Sequence, residues 1–521
     1  MFKDRPANIY EMLSQSIKAF PDREAIVMEE FRQTYSQLGD VVDGLAVHFY
    51  QKYKIRKGDR VALLLNNCPE FIHVVLACAR LGAIVVPLNT RLSHLELSYM
   101  ISHSGSSLIF TEEEKRDVIE KVNEELALSH PYEVVFITNH EGQKGNTFLE
   151  FIHLKQEISL IAREEINETD PLFIMFTSGT TGTPKGALGS HVGIISSALN
   201  YKHVIKASEP VKTLIAVPLF HVTGLIGQLF YMIAIGGTSV LLERYQTEPF
   251  IRTIVKENIT FLFNVPTIYV MVMSHPIFQE LSVSSVKVIA YGGAPMSYET
   301  IEQLRKHFPG IQLHNAYGAT ETSSPTTIMP VHYDDDKLNS VGKPVPVAEI
   351  KVINETGEEL SAGEVGELLI KGPMVIEGYW RNEEANAKSF EGDYWKSGDM
   401  AKVDRDGFVY IMDRKKDMIN RGGEKIFSVE VENVLYGHEG VLEAAVVGVP
   451  DALFGEQVKA YIVKKENVNV NENDIQEFLK SRLADYKIPK FIEFIKELPR
   501  NPGGKILKSY LAKLNQNKSR Q

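Results

Sequence analysis

The chain has 521 residues, 44% of them apolar and 24% charged, and a formal net charge of −11. At about 150 residues per domain this length predicts roughly three or four folding units, and the composition excludes a disordered or low-complexity chain. The acidity argues against a nucleic-acid partner, because phosphate contacts need clustered Lys and Arg.

The amino terminus, MFKDRPANIYEM, has no apolar core of the kind a secretory signal carries, so the expected location is cytoplasmic. Next, NCPEFIHVVLAC (67–78) has helical apolar spacing and contains the only two cysteines, Cys68 and Cys78. Ten residues of helix separate them by about 15 Å, too far for a disulfide. Twice a helical pattern ends at glycine and a β-branched run follows, in LACARLGAIVVPLN (76–89) and LFYMIAIGGTSVLLER (229–244). Such units predict an α/β fold with buried strands. The uncharged run 222–242 is long enough to span a bilayer, but the pair Gly236-Gly237 splits it into a helix and a strand.

Further strands are expected at FIMF (173–176), TLIAV (213–217), ITFLFNV (259–265) and VKVIAYGG (286–293), each ending where polar or glycine-rich residues begin. Strand ends of this kind are where α/β proteins build their sites. Past about residue 340 the pattern turns to glycine-punctuated alternation, as in GELLIKG (366–372) and GFVYIMD (407–413), which predicts antiparallel sheet. The charged run Asp413-Arg414-Lys415-Lys416-Asp417 marks a boundary between domains 1–413 and 414–521. The second is expected to be a short α+β set: EAAVVGVP (443–450), KAYIVKKE (459–466) and a helix near 473–484.

FTSGTTGTPKG (176–186) follows a strand and is rich in glycine and hydroxyls, a composition that lets backbone N–H groups, hydroxyls and one lysine converge on an anion. It is not the GxxxxGK[ST] loop, since Pro184 and Gly186 flank Lys185, and the chain has no GxGxxG, CxxC or HExxH. Composition alone leaves a phosphate cradle and a surface turn as alternatives.

TSGTTGTPKG (177–186) resembles the signature of the adenylate-forming superfamily of acyl- and aryl-CoA synthetases, luciferases and peptide-synthetase adenylation domains. PLFHVTG (218–224), YGGAP (291–295), NAYGATE (315–321), GELLIKGPMVIEGYW (366–380), WKSGD (395–399), DRKKDMINRGGEKI (413–426) and RNPGGKI (500–506) agree with it in order. The resemblance spans nearly the whole chain. It implies a large N-terminal domain of parallel-type sheets flanked by helices, a distorted antiparallel barrel, and a small mobile C-terminal α+β domain. It also implies activation of a carboxylic acid by ATP with Mg²⁺, through an acyl-AMP, and transfer to the thiol of coenzyme A.

The resemblance assigns roles residue by residue. Thr177, Ser178, Gly179, Thr180, Thr181, Gly182 and Lys185 hold the β- and γ-phosphates; Glu321, with Thr177, holds Mg²⁺, and Thr320 contacts phosphate. Tyr317 stacks on adenine, beside Gly293, Ala294, Asn315, Ala316 and Gly318. Asp399 accepts the ribose hydroxyls with Arg414 nearby, and His221 shapes the acyl tunnel. Lys505 reaches the reacting carboxylate and α-phosphate. The small domain turns about Lys416, after which Arg421, Gly422 and Gly423 line the pantetheine tunnel. Departures from the family pattern are Phe176 for tyrosine, Ser397 for threonine and Gly503 for serine.

Acetate-specific relatives carry tryptophan at the position of Gly318, so this chain is expected to take a larger acid, medium- or long-chain fatty or aromatic. Loading of a carrier protein in place of free CoA is the alternative fate of the acyl-AMP. Peripheral membrane contact and a homodimer stay open.

Overall fold

The computed structural model describes residues 2–126, 131–137, 147–161, 165–177, 183–208, 210–465, 468–500 and 506–518. Its N-terminal part holds two sheets. In the nine-stranded sheet, six parallel strands run in the order Gln312–Ala319, Val288–Gly292, Phe261–Asn264, Lys212–Ile215, Thr238–Leu241 and Glu24–Met28, with antiparallel strands at both edges. In the six-stranded sheet, Glu133–Ile137, Leu108–Glu112, Arg60–Leu64, Ile84–Pro87 and Pro171–Thr177 run parallel, and Lys185–Ser190 closes the edge antiparallel. Central strands such as Val288–Gly292 and Ile84–Pro87 are buried along their whole length, as strands covered on both faces must be.

The helix-glycine-strand units form as expected. Helix Pro69–Leu81 ends at Gly82 (φ 69°) and the helix Tyr231–Ile235 at Gly236 (φ 65°), left-handed caps that a side chain would strain. Cys68 sits at the start of the first of these helices, and both cysteines are buried and free. The run 222–242 is a π-helix, Thr223–Phe230, followed by that short α-helix and the strand Thr238–Leu241. Among the described residues no helix is long and apolar enough to cross a membrane.

A five-stranded antiparallel sheet follows, built from Glu349–Ile353, Gly366–Lys371, Phe390–Glu391, Tyr394–Val403 and Val409–Arg414. After Arg414 the chain makes a tight turn, with the N–H groups of Asp417 and Met418 donating to the Arg414 carbonyl, and enters a second five-stranded sheet. That sheet comprises Ile419–Arg421, Glu424–Ile426, Val441–Asp451, Gly455–Lys464 and Phe491–Phe494. Helices Ser428–Tyr436 and Glu472–Lys480 cover one side of it around Val431, Leu435, Ile475 and Leu479. The helix expected at 473–484 stops at Lys480, so Leu483 packs on this core from beyond its end.

Candidate active site

Thr177, Gly293, Ala294, Thr320 and Glu321 sit at or just past the carboxyl ends of parallel strands, with Asn315 to Gly318 in the second half of one of them, where backbone groups point outward from the sheet. Thr177 ends the strand Pro171–Thr177 and pairs across the antiparallel ladder with Lys185, the first residue of the next strand. Ser178, Gly179, Thr180, Thr181 and Gly182 lie outside the described residues. From a second strand, Gln312–Ala319, the chain turns through Thr320-Glu321-Thr322. Thr177 Oγ1 donates to Glu321 Oε1 (3.3 Å), joining the ends of the two sheets.

Tyr379 completes this cluster. Its hydroxyl donates to the same Glu321 oxygen (3.0 Å), and the Lys185 ammonium lies 5.0 Å from the centre of its ring. Burial and the nearby Glu321 carboxylate push the Tyr379 phenol up, so it stays a donor at neutral pH. Sequence reasoning quoted the GYW that contains Tyr379 but gave it no role; an aromatic hydroxyl inside an ordered motif was the signal available.

The second cluster forms around Asp399. Its strand, Tyr394–Val403, pairs with Val409–Arg414 so that Asp399 and Arg414 are direct cross-strand neighbours. Arg414 Nε donates to Asp399 Oδ1 (2.7 Å), and the Tyr317 hydroxyl donates to Oδ2 (2.5 Å). Desolvation and then the Asp399 charge hold the Tyr317 phenol well above its ordinary range, while the carboxylates of Asp399, Glu321 and Asp417 hold Arg414 firmly charged against the pull of burial. Ser397 Oγ donates to the Leu368 carbonyl (2.7 Å) and accepts from the Asp399 N–H (3.0 Å). A threonine hydroxyl does the same work, which explains the departure at this position.

The remaining N-terminal residues divide. Gly293 and Ala294 are exposed just past Val288–Gly292, and the register pair Tyr291–Asn315 sets that strand beside the one carrying Tyr317. The Asn315 side chain, however, donates to the Ser340 carbonyl (3.1 Å), and the Ala316 methyl lies in the core, so these two offer backbone rather than side chain. Gly318 is exposed, yet a Cβ built on it would lie 1.5 Å from the Ser324 carbonyl oxygen. His221 is half-buried at the entrance to the π-helix. Burial pushes its imidazole down to about 4, and its Nε2 has no hydrogen-bond partner among the described residues.

Beyond the boundary, Lys416 is exposed in the turn after Arg414. Gly422 (φ 61°) and Gly423 (φ 98°) form the two-residue tip of a hairpin between Ile419–Arg421 and Glu424–Ile426, a turn whose two left-handed positions call for glycine. Lys505, with 501–504, lies outside the described residues. The Arg500–Ile506 bridge and the Leu507 N–H to Pro499 carbonyl bond (2.8 Å) close the base of the segment that carries it.

The Glu321 cluster fits a divalent cation shared with a nucleotide. Its donor set is hard oxygen, and among the described residues no three His, Cys, Asp or Glu converge on one metal-sized centre. A cation there must complete its shell with ligand oxygens and water, as Mg²⁺ does on phosphates.

Comparison with known proteins agrees. The family model described as AMP-binding enzyme matches residues 13–380, and the one described as AMP-binding enzyme C-terminal domain matches 430–505. A 2-succinylbenzoate–CoA ligase of Bacillus licheniformis is 35% identical over 518 residues, covering 98% of this chain and 100% of the relative. A long-chain-fatty-acid–CoA ligase of Bacillus subtilis is 34% identical over 529 residues, covering 96% and 94%. The solved O-succinylbenzoate coenzyme A synthetase of Bacillus subtilis, in complex with ATP and magnesium ion, superposes with a TM-score of 0.82 at 30% identity, covering 97% of this chain and 99% of that one. With the Thr177–Glu321–Tyr379 and Tyr317–Asp399–Arg414 clusters on the matching fold, the chain belongs to the AMP-binding enzyme family of AMP-forming acid–thiol ligases.

Proposed function

We propose that the chain is an ATP-dependent carboxylic acid–CoA ligase acting on a medium- or long-chain fatty acid. The observation that carries the reading is a pair of clusters, Thr177–Glu321–Tyr379 with Lys185 and Tyr317–Asp399–Arg414, carried next to each other by Tyr317 and Glu321 at the end of one strand. The named relatives, a 2-succinylbenzoate–CoA ligase and a long-chain-fatty-acid–CoA ligase, support an acid larger than acetate.

In the first step a carboxylate oxygen attacks the α-phosphorus of ATP, and pyrophosphate departs with the bond it breaks. Bound Mg²⁺ neutralises charge on the phosphate oxygens. Lys185 and the glycine-rich segment before it bind the β- and γ-phosphates, and Glu321, steadied by two hydroxyl donors, orients the cation. Asp399 and Arg414 hold the ribose while the Tyr317 ring faces the base. Lys505 supplies a point charge to the developing oxyanion. In the second step the thiol of CoA attacks the acyl carbonyl and AMP leaves. The units 1–413 and 414–521 exchange orientation about Lys416 between the steps, bringing Gly422 and Gly423 to the pantetheine.

A second reading, an aromatic acid with a further polar group, is favoured by His221. An all-methylene chain leaves its buried Nε2 unsatisfied, whereas a carbonyl or hydroxyl on the acid supplies a partner. The deciding experiment measures pyrophosphate release with acetate, octanoate, palmitate, benzoate, coumarate and 2-succinylbenzoate, with and without CoA, and identifies the thioester. Octanoate or palmitate is expected to lead. Preference for an aromatic acid transfers the assignment to the second reading, release without thioester points to a carrier protein, and no release with any acid overturns both.

A further inference from the structure

Behind the Asp399 cluster a buried polar network crosses the boundary between the two sheets on either side of Arg414. Asp413, 2% exposed, accepts the backbone N–H of Arg414 at Oδ1 (2.8 Å). Its Oδ2 accepts both the backbone N–H (2.5 Å) and the hydroxyl (2.7 Å) of Ser428. Ser428 opens the helix Ser428–Tyr436, whose own cap residue, Phe427, has no side chain able to accept, so Asp413 caps that helix from fifteen residues upstream. The Ser428 hydroxyl in turn accepts from Lys508 Nζ (2.7 Å), and Lys508 pairs with Glu432 (2.7 Å), which also accepts the Val446 N–H (2.7 Å). Burial alone would lower the Lys508 ammonium, but the Glu432 and Asp413 carboxylates more than offset it, so the cation is retained.

Lys508 is the first residue of the helix Lys508–Lys518 and stands three positions after Lys505. Hydrogen bonds therefore run from Asp413 through Ser428 to Lys508, and Arg414, which bonds Asp413 through its backbone N–H and Asp399 through Nε, joins that run covalently to Asp399. One end touches the proposed ribose carboxylate. The other anchors the downstream end of the Lys505 segment, whose upstream end is tied by Arg500 to Glu443. None of these links is needed to fill an apolar core, and a charged group inside a protein is kept in place only when every partner is present.

We propose that Asp413, Ser428 and Lys508 are positioning residues for the adenylation step, setting the base of the Lys505 segment in register with the Asp399–Arg414 pair. The proposal rests on the reading of Lys505 given above. The network joins residues on opposite sides of the turn at Lys416, so it belongs to one orientation of the C-terminal unit and serves one half-reaction.

The test measures the two half-reactions separately in the full chain, with octanoate, or benzoate if the acid panel selects it, and the corresponding acyl-AMP. Ser428→Ala and Lys508→Met are each expected to slow acid-dependent pyrophosphate release at least tenfold, and to leave thioester formation from supplied acyl-AMP and CoA within threefold. Ser428→Thr and Lys508→Arg are expected to recover most of the lost rate. Ser428→Ala keeps the Lys508–Glu432 pair, so it decides the matter if Lys508→Met does not fold. Equal loss of both half-reactions, or unchanged pyrophosphate release in Ser428→Ala, overturns the proposal. Lys505→Ala is run alongside: if it retains pyrophosphate release, the reading of Lys505 fails and this proposal with it. If Lys505→Ala loses release while Ser428→Ala and Lys508→Met keep it, only the positioning role fails.

Discussion

Replacing Gly318 by alanine is expected to damage the site rather than narrow the acyl pocket. Gly318 does not have a left-handed φ, so the constraint is space. The added Cβ would lie 1.5 Å from Ser324 O, 2.6 Å from Ser324 C and 3.1 Å from Pro325 Cα, all backbone atoms of the opposing strand. Reaching ordinary contact of about 3.5 Å requires the strands Gln312–Ala319 and Ser324–Ile328 to part by roughly 2 Å. The register pairs Gly318–Pro325 and Ala319–Ser324 lie at that point. Overpacking of this kind costs about 1–3 kcal/mol and each ladder hydrogen bond lost about 1 kcal/mol, giving a destabilisation of roughly 2–5 kcal/mol. Glu321 stands two residues beyond the strand end, and a misplacement of about 1 Å at reacting groups costs on the order of 100-fold in rate. Calorimetry and pyrophosphate release with acetate and octanoate check this: the thermal midpoint should fall and both acids should lose rate together. An alanine variant with an unchanged midpoint and a selective loss of octanoate would refute the steric reasoning and restore glycine as simply a missing wall.

Tyr379→Phe keeps the ring beside Lys185 but removes a donor to a carboxylate, an interaction of about 1.5–3 kcal/mol. Pyrophosphate release should fall roughly tenfold or more with the midpoint nearly unchanged, and full activity would show the hydroxyl to be idle. Glu321→Gln keeps an oxygen for the Thr177 and Tyr379 hydroxyls, so folding should survive while the Mg²⁺ concentration for half-maximal release rises at least tenfold; an unchanged Mg²⁺ dependence would move the cation elsewhere. Acid should unfold the chain through its buried neutral histidines. Desolvation pushes His73 down to about 3 and His191 down to about 4, and His191 Nδ1 accepts the Ile9 N–H. Between about pH 6.5 and pH 4 the unfolded chain binds the extra protons, so stability is lost as pH falls, by about 2 kcal/mol per histidine at pH 5. Asp413 and Glu432, whose pKa values burial raises, shift the balance the other way over the window just above the ordinary carboxylate range. A midpoint that is flat from pH 7 to pH 5 would contradict the assignment of these histidines as neutral.

Strand positions were legible because buried parallel strands are short apolar runs, and the run expected at 286–293 is the strand Val288–Gly292. Sheet order was not. That Glu24–Met28 lies beside Thr238–Leu241, more than two hundred residues away, is a long-range strand pairing that neither segment's own pattern specifies. The π-helix Thr223–Phe230 escaped for a related reason: its apolar spacing matches an α-helix, while the wider winding answers close approaches such as Gly227 against the Phe263 ring and the Tyr201 hydroxyl. At the site, motif order located Thr177, Glu321, Tyr317, Asp399 and Arg414, whose mutual contacts the fold supplies. That Tyr379 and Ser397 steady them needed coordinates: both stand in ordered motifs, but a supporting hydroxyl leaves no spacing rule that names its acceptor. Asp413 illustrates the limit well. In a charged run it reads as a solvated boundary residue, yet it is almost fully enclosed.

The acceptor valence of Asp399 bears on which nucleotides the enzyme can use. An ionised carboxylate offers about four lone-pair sites, and the Tyr317 hydroxyl and Arg414 Nε occupy one on each oxygen. About two sites are left, one per oxygen, and Asp399 is only 4% exposed, so water has little access to them. Under the proposed role of Asp399, two vicinal hydroxyls of a ribose would fill that remainder without displacing tyrosine or arginine. If Asp399 takes the ribose role proposed above, a deoxyribose would fill half of it and leave a charged oxygen under-coordinated inside the protein, so the same two side chains that steady the carboxylate would also favour ribonucleotides.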